Sequence, residues 1–182
     1  VNIGEPLPLA GFLDAHHPGW SEEGAASQSL WARAATRNAA AELAKRINEA
    51  AVLNPINLIA LALLATPKHT ADEHALQRMI EHYQALAREA PYAPTTIACE
   101  LAAQPIVAYA ERLAVVERFA DPLGDLIRIR EEQAPLLAYF RNNVLHLFAL
   151  PAVIACLLSH NRRLETARVM RAVVGICTLM RA

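Results

Sequence analysis

Lysine is almost missing from these 182 residues: Lys45 and Lys68 are the only two. Glycine (6), cysteine (3) and aromatic side chains (5%) are scarce as well. Each shortage excludes something. Seventeen basic against 18 acidic side chains leave a formal net charge of −1, so the basic excess that neutralises nucleic-acid phosphates is lacking and no nucleic-acid partner is expected. Cys99, Cys156 and Cys177 are odd in number and sit in apolar surroundings, which excludes a disulfide scaffold and suits a reducing cytoplasm. The chain opens without a basic segment, apolar core and small-residue cleavage site, so no signal peptide is expected. CxxC, GxGxxG, P-loop, GxSxG and HExxH patterns are all lacking, and no cofactor is implied. No internal repeat or low-complexity tract is found either.

What is present is apolar and helix-forming. Hydrophobic residues make up 54%, and alanine, about a fifth of the chain, loses no side-chain entropy in a helix. Val1–Ile3 is β-prone and is broken by Gly4 and Pro6, so it reads as an orphan strand completing a sheet formed by residues outside this chain. A loop over Ala10–Gly24, holding His16, His17, Pro18 and Gly19, is expected. A long helix from about Ser27 to Leu53 follows, with Leu43, Ile47, Ala50 and Ala51 at helical spacing, ended or kinked at Asn54-Pro55. Ile56–Ala65 lacks any charge and predicts a buried helix, being far shorter than the ~20 residues of a bilayer span.

Thr70-Ala71-Asp72-Glu73 suggests a capping box for a helix over Thr70–Glu89 with Leu76, Met79, Ile80, Tyr83, Leu86 and Ala87 on its apolar stripe. Pro91 and Pro94 mark a loop. A shorter helix near Pro105 should turn Ile106, Tyr109, Ala110 and Leu113 inward. Two β-prone segments, Val115–Phe119 and Asp125–Ile129, flank Asp121-Pro122-Leu123-Gly124, which predicts a small hairpin near 115–130 closed by a type I turn. Glu131 and Glu132 suit a helix N-terminus. That helix should run past Pro135 to Pro151, which kinks or splits it, and a last helix should begin near Leu164 and run on to a C-terminal end without a stop signal. The organisation expected is residues 1–24 as the end of an upstream domain and its linker, then residues 25–182 as a mainly α domain truncated at its C-terminus.

Of the seven histidines, His74 and His82 share a helix face with Arg78, which would repel a metal ion; a solvated face is the expectation, and no metal site. The segments richest in polar groups within apolar surroundings are 48–57, with Asn48, Asn54 and Asn57, and 139–146, with Arg141, Asn142, Asn143 and His146. Buried amides need partners, since an unpaired one costs ~1–3 kcal/mol. Internal capping is the plain reading. The sharper one makes Arg141, Asn142, Asn143 and His146 substrate- or interface-binding, with Arg141 holding an anion or pairing with another domain.

The stretches NEAAVLNPINLIALALLAT (48–66) and YFRNNVLHLFALP (139–151) strongly resemble bacterial membrane-associated glycerol-3-phosphate acyltransferase, with Val1–Pro6 and Gly124-Asp125 also fitting. The resemblance covers nearly the whole chain but a part of the family's longer protein. It implies an upstream α/β acyltransferase domain as partner, glycerol-3-phosphate and acyl-CoA or acyl carrier protein as substrates, and contact with the cytoplasmic face of the inner membrane. The family's His-x4-Asp pair, in which the acid orients a histidine base, does not occur here: the residues five after each histidine are Ser21, Glu22, His74, Met79, Ala87, Pro151 and Glu165. No catalytic residue is therefore expected in this chain. A free-standing helical interaction or regulatory module is the alternative.

Overall fold

The computed structural model describes residues 2–23, 30–159 and 165–179, apart from the side chains of Glu23, Cys177 and Leu179. In chain order the helices are α1 (Leu9–His16), α2 (Trp20–Glu23), α3 (Leu30–Glu49), α4 (Pro55–Leu63), α5 (Glu73–Glu89), α6 (Ala103–Arg112), α7 (Ala134–Asn142), α8 (Ala149–Ser159) and α9 (Thr166–Leu179). The strands are short: β1 (Val52–Leu53), β2 (Thr70–Asp72), β3 (Ile97–Ala98), β4 (Val116–Phe119) and β5 (Leu126–Ile129). The chain is mainly α, as its composition predicts, and divides into two compact units.

The first unit comprises Val1–Ala51 with Ala93–Ile97. Val1 lies outside the described residues, and residues 2–8 form no strand; the Asn2 side-chain amide instead donates to the Ala50 carbonyl at 2.9 Å. Where a loop over Ala10–Gly24 is expected, Leu9–His16 and Trp20–Glu23 are helical, and among the described residues of that stretch only 17–19 turn, Gly24 lying outside them. The correction has a local cause: His16 stacks on Phe12 and its Nδ1 lies 2.8 Å from the Phe12 carbonyl, while Trp20 donates to Asp14 at 2.8 Å. The long helix ends at Glu49, four residues early, because the Thr95 and Thr96 hydroxyls donate to its terminal Glu49 carbonyl and the Ile97 amide to Ala51. Leu43 and Ile47 face solvent. Ser27 to Ser29 lie outside the described residues.

The second unit, Val52–Tyr92 with Ala98–Ala182, is built around α4. Asn54 caps this helix by accepting from the Ile56 and Asn57 amides, and Asn57 Oδ1 accepts from the Asn54 amide in return. Pro55 occupies the first helical position, where its missing N–H is harmless. Every residue from Ile56 to Leu63 is buried, with α5, α6 and α7 packed around it. Full burial of side chains such as Leu58, Ile59 and Leu63 contributes about 1.5–3 kcal/mol each.

The expected hairpin is present: β4 and β5 pair antiparallel with Val116 opposite Ile129 and Phe119 opposite Leu126. Gly124 closes the turn through a hydrogen bond to the Asp121 carbonyl and holds φ +132°, a conformation that favours glycine. A third strand was not foreseen. Thr70–Asp72, expected as the first turn of a helix, pairs with Leu126–Arg128 instead, and α5 starts at Glu73 with Asp72 Oδ1 accepting from the Ala75 amide. On α6 the inward residues are Ala103, Ile106, Val107 and Ala110, while Tyr109 and Leu113 are exposed. The helix beginning at Ala134 breaks at Asn143-Val144 rather than at Pro151. Pro151 sits in the first turn of α8, where no intrahelical N–H is required.

Candidate functional site

The two amide-rich segments meet. Asn57, 2% exposed on α4, donates through Nδ2 to the Phe140 carbonyl at 2.7 Å. Phe140 lies in the last turn of α7, whose carbonyls lack helical partners. One side chain thus closes the cap of α4 and satisfies an orphan acceptor of α7. The contribution of Asn57 is structural, as the plain reading of these amides has it.

The polar groups just beyond point away from that buried joint. Asn142 and Asn143 are exposed and Arg141 is half-buried. The Arg141 guanidinium donates to Asn142 Oδ1 through Nε at 3.2 Å and Nη2 at 3.1 Å and pairs with no carboxylate among the described residues. His146 follows in the 3-10 turn Leu145–Phe148 and meets the Tyr92 ring edge-on, centroids 5.0 Å apart. Tyr92 and Tyr139 are themselves well exposed, at 45% and 62%. The structure therefore brings Arg141, Asn142, Asn143 and His146 onto one short segment. A guanidinium with spare donors beside exposed tyrosines brings together residue types that are enriched at interfaces.

Of the other histidines among the described residues, His16, His17, His74 and His82 take structural or solvent-facing places. His74, Arg78 and His82 are all exposed on α5, as the solvated-face reading expects. His17 stacks on Trp31 with ring centroids 4.8 Å apart. No group of three His, Cys, Asp or Glu side chains suited to a metal ion occurs among the described residues.

Two polar arrangements escape sequence reasoning. Gln84 is buried on the apolar side of α5, where Nε2 donates to the carbonyls of Cys99 and Leu101, both at 2.8 Å. Arg118 on β4 gathers three carboxylates: Nε meets Glu111 at 2.7 Å, Nη1 meets Asp125 at 2.8 Å and Nη2 meets Glu73 at 2.9 Å. The hydrogen bond from Arg118 holds the Glu73 carboxyl below its ordinary pKa, and the same carboxylates raise that of the guanidinium. The sequence signal for this cluster is long-range, since it joins two helices and a hairpin.

The family described as the glycerol-3-phosphate acyltransferase C-terminal region matches residues 1–182. Similar curated proteins include the glycerol-3-phosphate acyltransferase of Pseudomonas putida strain KT2440, 41% identical over 177 residues, and that of Pseudomonas aeruginosa strain PAO1, 39% identical over 173. These alignments cover 96% and 94% of this chain but 21% of each relative. The chain thus spans about a fifth of the length of the curated relatives it matches. No solved structure matches it.

Proposed function

Because this chain belongs to the family of glycerol-3-phosphate acyltransferase C-terminal regions, we propose that it is the supporting helical part of an enzyme that acylates the 1-hydroxyl of glycerol-3-phosphate in phospholipid synthesis. In that reaction the acyl carbon passes from the thioester sulfur of acyl-CoA or acyl carrier protein to the hydroxyl oxygen. The products are 1-acyl-glycerol-3-phosphate and a free thiol. Proton abstraction belongs to a His-x4-Asp pair in the upstream catalytic domain, a spacing that none of the seven histidines here offers. The observation that carries the reading is similarity along 96% of this chain to 21% of a named acyltransferase.

Within that enzyme, residues 1–24 finish the catalytic domain and its linker, and residues 25–182 brace it. The segment of Arg141, Asn142, Asn143 and His146 is the docking face toward the catalytic domain, with Arg141 as its charged anchor. The protein works at the cytoplasmic face of the cell membrane.

Arg141→Lys and Arg141→Ala in the full-length enzyme test the supporting role. A lowered melting temperature with unchanged KM for glycerol-3-phosphate agrees with bracing. A KM raised at least tenfold with unchanged melting temperature would assign Arg141 to substrate instead.

A further inference from the structure

The first unit opens with a segment fastened along one side and open along the other. Residues 2–7 are irregular and make no backbone-to-backbone hydrogen bond among the described residues. They are nevertheless held against the C-terminal end of α3. The Asn2 amide group donates to the Ala50 carbonyl at 2.9 Å. Arg46 Nη1 donates to the Pro6 carbonyl at 2.8 Å and lies 3.4 Å from that of Glu5. Arg46 is fixed in turn by Glu42, whose Oε1 accepts from Nε at 2.8 Å. Gly4 passes so close that a Cβ there would stand 3.3 Å from the Ala50 Cβ and 3.4 Å from the Arg46 carbonyl oxygen.

The contacts alternate along the segment. Asn2 and Gly4 meet the end of α3, while Ile3 between them is 86% exposed. Alternate residues of a chain that runs out straight point to opposite sides, so fastening 2 and 4 directs 3 outward. An aliphatic side chain on a fastened segment differs from one on a slack tail, because little ordering remains to be done when a partner covers it. The Ile3 amide and carbonyl are also unpaired among the described residues, which leaves main-chain bonds for a partner to complete.

We propose that residues 2–6 form a docking clamp, with Ile3 as the apolar anchor for the catalytic domain of the full-length enzyme. This rests on the acyltransferase reading, in which that domain lies upstream. The matched family is a C-terminal region, and the chain spans about a fifth of the length of its relatives. In that reading the polypeptide leading into the clamp belongs to the catalytic domain, which therefore stands at high effective concentration beside Ile3. The single charged side chain of the segment, Glu5, is repelled by an anionic lipid surface. The joint is thus a fixed contact rather than a slack linker.

Hydrogen exchange on the full-length protein tests the clamp, since no backbone bond within this chain protects these amides. The Ile3 and Gly4 amides should exchange at least about tenfold more slowly than in an unstructured peptide, and Ile3→Ser should abolish that protection. The exposure of Ile3 in this unit keeps that variant from acting through its core. Asn2→Ala should lower the protection about fivefold, the effect of one hydrogen bond. Leu30→Ser, at the other end of α3 and 85% exposed, should leave it unchanged. A photo-crosslinking residue in place of Ile3 identifies the partner, and linkage to a peptide of the catalytic domain is expected. Unprotected amides, protection that survives Ile3→Ser, or linkage to lipid, to a second copy or to nothing overturns the proposal. Acyl transfer to glycerol-3-phosphate is assayed on the same preparations. Its absence from a protein with a protected clamp would sink the acyltransferase reading alone, and an active enzyme with an unprotected clamp would sink the docking alone.

Discussion

Asn57 shows how much one buried amide can decide. Its side chain accepts within the α4 cap and donates across to Phe140, so truncation leaves a buried amide and a carbonyl unmade at once. Asn57→Ala should lower unfolding free energy by about 2–4 kcal/mol, read from chemical denaturation; a loss below 1 kcal/mol would mean water replaces both bonds. At Glu73 the effect depends on pH. Its folded pKa is depressed by the Arg118 hydrogen bond, so the stability it contributes is present above the unfolded pKa and fades as pH falls through the folded one. Wild-type melting temperature should therefore drop as pH is lowered below about 4.5, and Glu73→Gln should flatten that slope. A variant as acid-sensitive as the wild type would locate the acid response elsewhere.

Among the elements, α6 ends in a way its sequence does not favour. The Val115 amide bonds the Ala110 carbonyl and the Ala114 amide bonds Glu111, the two bonds of a Schellman ending. The left-handed residue it requires is Ala114, at φ +54°, where glycine is the usual choice. Ala114 is exposed, so Ala114→Gly relieves this strain without opening a cavity. It should stabilise the protein by about 0.5–1 kcal/mol, measured as a shift in denaturation midpoint at constant slope. Pro151 makes the opposite point: a residue that looks like a helix breaker stands where a helix tolerates it.

For the molecule as a whole, the question of the membrane comes down to α8. No single described helix is long and apolar enough to cross a bilayer; helices Glu131–Asn142 and Leu145–Ser159 pass by composition only as a pair bent by 60°. Yet α8 carries no charged residue and buries none of its side chains, and Leu150 and Leu158 are each 49% exposed. Its 11 residues are fewer than the ~20 of a span; in the membrane-face reading proposed above, its exposed leucines are the surface offered to lipid. Leu150→Glu with Leu158→Glu should change stability by no more than about 0.5 kcal/mol per site while shifting the full-length enzyme from membrane to supernatant on sedimentation. Undiminished sedimentation would place the membrane-binding surface elsewhere.

Local chemistry made much of this fold legible. The uncharged run 56–65 called for burial, which 56–63 receives; Asp121-Pro122-Leu123-Gly124 had to turn; and Asn54 finds its partners two and three residues on, whereas the Nδ2 of Asn57 finds Phe140 only through the fold. The segments at 48–66 and 139–151 carried the family. What the sequence could not disclose was settled by pairing between distant residues. Thr70–Asp72 has a helix-start pattern and becomes a strand because β5 supplies its hydrogen bonds. Arg118 finds Glu73, Glu111 and Asp125 only after the hairpin folds beside α5 and α6. Arg130 becomes a buried donor without an acceptor only when the 67–69 turn, β5 and the start of α7 converge. Periodicity and capping act over one or two turns of chain, whereas these arrangements depend on which surfaces the core brings together.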